Sequence, residues 1–332
     1  MKFLLNLVLL IIGFGFLFWA INAVDMEKTL ELLLKINYGF VAILSIYIVI
    51  TWLDMLAWKL SFPPEITKDI PNLKLWEIRT IGDAYNTITP LGTVGGEPIK
   101  AHLLKEHFDI SLKQTFSSLI ISRTTFLAAL ILFCFPGIFF ILNSPSIPTN
   151  FKTASIWGMV AFSIMIFLFI MFQLTGTLGN MSQWLISKTN KPRLQNFLLK
   201  LVHTDNLFTV FYQNFSKRIF FSIFLAFLGW IVGLGELYLI LYFLGFSPSF
   251  SDIWIIESMV QLVKAGSFFI PFSIGTLEGG SVLIFLSLGY SASLGLAVPL
   301  IGRVKQLAWV ALGLTLGWFI TFKNSSIKSE SL

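Results

Sequence analysis

Long apolar runs dominate the chain, at roughly residues 3–23, 39–60, 116–142, 154–178, 219–245 and 294–320. Each is long enough to cross a hydrocarbon core of about 30 Å as a helix. The pattern therefore predicts six spans. Two further stretches, 76–106 and 253–289, are apolar but interrupted by Pro and Gly, and too broken for one straight helix. They are expected to form broken-helix, re-entrant hairpins that enter and leave by one face. Non-helical backbone survives at membrane depth only where protein or a water-filled cavity satisfies it, so the breaks point at function. Pairs of short helices that cross fully would also fit, and would leave the loop assignment unchanged because each pair adds an even number of crossings. The mixed polar and apolar stretch 191–215 reads as an amphipathic helix on a membrane surface.

Composition removes the soluble alternatives. Hydrophobic residues make up 56% of the chain and charged residues 12%, with a mean hydropathy of +0.82, outside what a water-exposed surface requires. No polar stretch is long enough for a separate catalytic domain. The expected organisation is all-α and polytopic, one integral membrane domain over 1–322 followed by a polar cytoplasmic tail, 323–332. The 35 Phe and 10 Trp fit lipid-facing walls and interfacial belts.

A net charge of +6 would suit nucleic acid, but the cations lie in short segments between apolar runs, where topology explains them better. Segments 59–79 (Lys59, Lys68, Lys74, Arg79) and 188–218 (Lys188, Lys191, Arg193, Lys200, Lys217, Arg218) are basic, as is the end with Lys323 and Lys328. The alternate loops 24–38, 143–153 and 246–252 are poor in net positive charge. With six spans and two non-crossing hairpins, every basic segment falls on one side, which places both termini in the cytoplasm and the chain in the cell membrane. Residues 1–22 are read as a retained first span rather than a cleaved signal. The single cysteine, Cys134, lies in an apolar run, and His102, His107 and His203 share no ligand spacing with Cys or carboxylates. The pattern implies neither a metal nor a cofactor.

The two broken stretches resemble each other. In TITPLGTVGGEPIKAHLLKE (87–106), Pro90 precedes Glu97 by seven residues, and in FFIPFSIGTLEGGSVLIFLS (268–287), Pro271 precedes Glu278 by the same interval. Arg123 follows Glu97 by 26 residues and Arg303 follows Glu278 by 25, each inside the next span. An internal repeat is expected, with halves near 76–142 and 253–320. An odd number of crossings separates the two hairpins, so the repeat is inverted, an arrangement in which one half of a transporter rocks against the other.

A charge at bilayer depth costs about 2.5–3.5 kcal/mol on insertion scales, so each needs a partner or a purpose. The planar forks of Arg123 and Arg303 suit phosphate or carboxylate; the bland reading is an ion pair with Glu97 or Glu278 that holds each hairpin on its neighbouring span. Glu97, in GGEP, sits where a carboxylate complements a helix dipole without any ligand. Glu278, between Gly275, Gly279 and Gly280, is more deeply embedded in apolar sequence. Asn86 adds a polar group beside the first break. Lys100 and Lys264 are assigned to the same sites, against a reading in which both snorkel to the interface. Pro90, Gly95, Gly96, Pro271, Gly275 and Gly279 are the candidate hinges. Asp54, Asp83, Glu236 and Glu257 also lie within or beside apolar runs, with no basis for ranking them. Gly229 with Gly233, and Gly313 with Gly317, have the spacing of close helix packing.

The segments NTITPLGTVGGEPIKAHLL, SRTTFLAALIL and PFSIGTLEGGSVLIFLSLGYSASLGLAVPLIGRVKQLAWVALG resemble a flippase-like family related to the transmembrane region of lysylphosphatidylglycerol synthases. The likeness runs over roughly residues 5–320 and singles out Pro90, Gly96, Glu97, Arg123, Pro271, Gly275, Glu278 and Arg303. Full-length synthases add a soluble aminoacyl-transferring domain, and this sequence stops at Leu332, so the synthase activity is not carried over. The resemblance implies movement of a phospholipid or polyprenyl-linked lipid between leaflets, with membrane lipids as ligands. A membrane enzyme acting on lipid-linked substrates is the first rival. A non-transporting partner of a lipid-modifying synthase or glycosyltransferase is the second.

Overall fold

The computed structural model describes residues 26–68, 70–89, 95–189, 191–267, 270 and 273–330. The expected first span and the two prolines Pro90 and Pro271 lie outside the described residues. A short helix α1 (Met26–Lys35) leads to α2 (Gly39–Leu60), a single turn α3 (Pro64–Thr67), and the first broken pair, α4 (Asn72–Ile88) and α5 (Glu97–Phe108). Then come α6 (Leu112–Asn143), α7 (Thr149–Leu174), α8 (Thr177–Lys188), α9 (Pro192–Asn214) and α10 (Ser216–Phe243). The second broken pair, α11 (Phe250–Gly266) and α12 (Thr276–Ser287), precedes α13 (Ala292–Glu330).

Helices α2, α6, α7, α10 and α13 as far as Ile320 are each long and apolar enough to cross a membrane, and each covers one of the apolar runs. The run 154–178 stops short, at Leu174, because Gly176 takes the left-handed φ of +65° and restarts the chain as α8. The expected amphipathic stretch is α9, and the polar end is helical through Glu330. Start signals are local. Ser111 and Gln114 form a reciprocal capping box before α6, and Ser249 caps α11 through the backbone N–H of Asp252.

Both broken stretches split where Pro and Gly interrupt them. Their arms have equal lengths, 17 and 12 residues in the first and 17 and 12 in the second. A 12-residue helix rises only about 18 Å, too little for a core of about 30 Å, so the second arm of each pair reaches partway. The arms run antiparallel: Gly96 approaches Gly82, and Gly280 approaches Val263.

The halves are interleaved. Helix α4 of the first hairpin packs on α13, and α11 of the second packs on α6. Gly313 makes the first contact possible, since a Cβ there would collide with Ala84 and the Thr80 carbonyl; Gly137 does the same for the second against Ser258. The core between them is aromatic. Phe133 stacks on Trp254 and Trp230, and the Trp254 indole donates to the Phe133 carbonyl at 2.9 Å. Arg123 stands 11 residues after Leu112 in α6, and Arg303 stands 11 after Ala292 in α13. At 1.5 Å per residue each is about 16 Å along its span, near mid-depth. Three helices long and apolar enough to cross a membrane, α6, α7 and α10, lie between the hairpins, the odd number that the expected inverted arrangement requires.

Candidate functional site

The first hairpin builds a charged centre. Arg79 and Asp83 lie one turn apart on α4, with Asn86 continuing the same stripe, so this face turns away from lipid toward α2, α5 and α6. Arg79 Nη2 donates to Asp54 Oδ2 of α2 at 2.9 Å, and its Nη1 is 3.5 Å from Asp83 Oδ2. Lys100 Nζ of α5 donates to Asp83 Oδ1 at 2.8 Å and lies 3.4 Å from Glu97 Oε1. Lys100 is 4% exposed and stands over the Trp58 ring. It is therefore a member of the buried network and does not snorkel. Arg123 of α6 faces the same space. These six side chains border a cavity of about 140 Å³, room for several waters.

The break positions this network. Gly96 N–H donates to Asn86 Oδ1 at 2.6 Å, and Asn86 Nδ2 donates to Glu97 Oε1 at 3.3 Å. One amide thus holds both the start of α5 and its first carboxylate. Glu97 Oε2 is buried with no hydrogen-bond partner among the described residues. A Cβ at Gly96 would collide with the Gly82 carbonyl oxygen, and one at Gly95 with the Thr89 hydroxyl. Only glycine lets the backbone close here.

The second hairpin handles its charge differently. Gly275 begins α12 with φ +77°, outside what L side chains favour. Glu278 Oε2 accepts from the Gly275 N–H at 2.8 Å, and Oε1 accepts from Arg303 Nε at 3.0 Å. The expected pairing of a hairpin carboxylate with the arginine of the following span is present here. Gly279 lies in the first turns of α12, buried beside that carboxylate. Lys264 sits exposed in the last turn of α11, and it makes no ion pair among the described residues. It does not join the buried pair, because its helix ends with that side chain facing outward.

A third ion pair ties the last span to α10. Lys305, two residues past Arg303, pairs with Glu236 of α10 and lies 4.1 Å from the Tyr47 ring centroid. Trp309 meets both Tyr47 and Trp76 edge-on.

Of the residues singled out in the sequence, the structure gathers Asn86, Glu97, Lys100 and Arg123 at the first break and pairs Glu278 with Arg303 at the second; Asp54, Asp83 and Glu236 had no ranking in the sequence. Sequence reasoning placed Arg79 in a basic loop; the residue lies inside α4 and is the centre of an ion-pair network. The i, i+4, i+7 spacing of Arg79, Asp83 and Asn86 was the available signal. Among the described residues, no group of three or more His, Cys, Asp or Glu side chains is placed to hold a metal ion.

Fold and site together define an all-helical, polytopic membrane protein with a charged interior around two broken hairpins. The chain belongs to the family described as the lysylphosphatidylglycerol synthase TM region, which matches residues 5–314. It is also similar to a UPF0104 membrane protein of Methanothermobacter thermautotrophicus, with 23% identity over 282 residues, 80% of each chain. No solved structure matches.

Proposed function

We propose that this protein is a flippase, carrying the headgroup of a phospholipid or polyprenyl-linked lipid between leaflets while the tails stay in the bilayer. The observation that supports this reading best is the mid-depth centre, where Asp54, Asp83 and Glu97 balance Arg79, Lys100 and Arg123 around a cavity. Three carboxylates against three cations leave no net charge. A headgroup phosphate entering the cavity exchanges one set of ionic partners for another, which avoids the cost of stripping a bare charge. The Arg123 fork receives phosphate, while Glu97, with one oxygen lacking a hydrogen bond, accepts from a donor group on the cargo. The inverted hairpins supply two faces from which the centre is reached, through rocking of one half against the other. In this reading the protein works in the cell membrane with both termini cytoplasmic, as a carrier and not as an enzyme.

The test is leaflet exchange of labelled phospholipids in liposomes holding the purified protein, with Arg123→Ala beside the wild type, followed by mass analysis of the lipids. Exchange by the wild type that falls at least tenfold in the variant, with lipids chemically unchanged, is the expected result. New lipid species would replace this reading with a membrane enzyme. Absence of both would favour a partner of a lipid-modifying synthase or glycosyltransferase.

A further inference from the structure

A second cavity, of about 500 Å³, opens at the foot of α2, bordered by Lys59, Glu65, Thr67, Lys68 and Arg218. Its size lies in the range of roughly 300–1,000 Å³ typical of ligand pockets. Its cations are held unlike those at mid-depth. Arg218 donates from Nε to the Leu60 carbonyl at 3.2 Å and from Nη2 to the Lys59 carbonyl at 3.0 Å, capping the end of α2. Lys59 Nζ donates to the Ile70 carbonyl at 2.7 Å and to Asn72 Oδ1 at 2.8 Å. These acceptors are neutral. They fix both cations in place without cancelling their charge, and among the described residues neither Lys59, Lys68 nor Arg218 is in an ion pair. Among the described residues, the three cations Lys59, Lys68 and Arg218 line it beside a single carboxylate, that of Glu65. At mid-depth, by contrast, Arg79 and Lys100 each meet two carboxylates.

We propose that the cavity bounded by Lys59, Lys68 and Arg218 is a binding site for a net-anionic phosphate group, supplied by a lipid headgroup or by a free anion. A phosphate gains most from cations already fixed in place, and Lys59 and Arg218 are fixed by neutral acceptors. The site is distinct from the mid-depth centre and does not rest on transport: Lys59 lies five residues past Asp54 on α2, about 7.5 Å further along the helix.

Binding to the labelled, detergent-purified full chain is titrated by thermophoresis with dihexanoyl phosphatidylglycerol, dihexanoyl phosphatidylcholine and inorganic phosphate. Wild type, Lys68→Gln, Arg218→Gln, Arg123→Gln and the double variant Arg123→Gln with Arg218→Gln are compared. The expected result is binding of phosphatidylglycerol in clear preference to the net-neutral phosphatidylcholine, with a Kd raised roughly tenfold by Arg218→Gln, and raised by the same factor when Arg218→Gln is added to Arg123→Gln, which removes the phosphate partner proposed at mid-depth. Lys68 is exposed and holds no helix end, so Lys68→Gln keeps the fold and is expected to raise Kd about threefold. Inorganic phosphate that binds with the same variant dependence and displaces the lipid identifies a free anion as a sufficient ligand. Phosphate that fails to displace it identifies the lipid. Equal affinity for the two lipids, unchanged affinity in both Lys68→Gln and Arg218→Gln, or a loss confined to Arg123→Gln would overturn the proposal.

Discussion

The two hairpins share one frame, a 17-residue arm, a break and a 12-residue arm, yet they dispose of their carboxylates in opposite ways. In the second, Glu278 spends one oxygen on the Gly275 N–H and the other on Arg303, and its side chain is 4% exposed. In the first, Asn86 takes the corresponding task of receiving the backbone N–H of Gly96. Glu97 is thereby released from capping and keeps an oxygen without a hydrogen bond beside a cavity. One amide side chain therefore separates a sealed break from an open one. Two arms of equal length do not imply two equal sites: both oxygens of the carboxylate are engaged in the second hairpin, and one oxygen lacks a hydrogen bond in the first.

That contrast is broken or sharpened by substitution, read as unfolding free energy of the detergent-solubilised protein. Glu278→Ala is expected to have the largest effect, about 3 kcal/mol, because it removes a buried ion-pair carboxylate and a helix cap together. Glu97→Ala is expected to cost less than about 1 kcal/mol, since Lys100 keeps Asp83 as its partner. Equal losses in the two variants would remove the distinction between sealed and open breaks. Next in size is Gly96→Ala, at about 2 kcal/mol, because the new Cβ meets a backbone carbonyl that cannot swing aside. A variant as stable as the wild type would show that the first break is loosely packed.

Much of this frame is legible in the residues. The spans α2, α6, α7, α10 and α13 coincide with apolar runs because lipid allows few alternatives to a long helix, and both breaks fall in stretches that combine Pro with closely spaced Gly, where a helix is weakest. What the pattern hides is pairing across distance. Asp54 meets Arg79 from 25 residues away and Glu236 meets Lys305 from 69 away, and neither interval has a periodic signature. Arg79 was misplaced because a cation among other cations looks like a topology signal until α4 wraps its polar stripe inward. Lys264 misled for the converse reason: it stands near the second break in sequence, but α11 turns that side chain outward.

An effect smaller than that of Gly96→Ala is expected at the mouth of the second hairpin, where Tyr290 Oη donates to Asp252 Oδ2 at 2.9 Å and ties the exit of α12 to the first turn of α11. Tyr290→Phe keeps the ring and its edge contact with Phe285 and removes one charge-assisted hydrogen bond, a loss of about 1 kcal/mol. Burial, with the hydrogen bond to Asp252 and its negative charge adding to it, pushes the Tyr290 hydroxyl up to about 12 from 10.0. The folded protein therefore holds this proton more tightly than the unfolded chain. The contribution of Tyr290 is complete below pH 10 and is lost as the pH rises from 10 toward 12. The stability difference between wild type and Tyr290→Phe should accordingly be constant from pH 7 to 9 and shrink above pH 10. A difference that instead grew with pH, or no difference at pH 7, would show that the mouth of this hairpin is held by packing alone and that its sealing depends on Glu278 and Arg303.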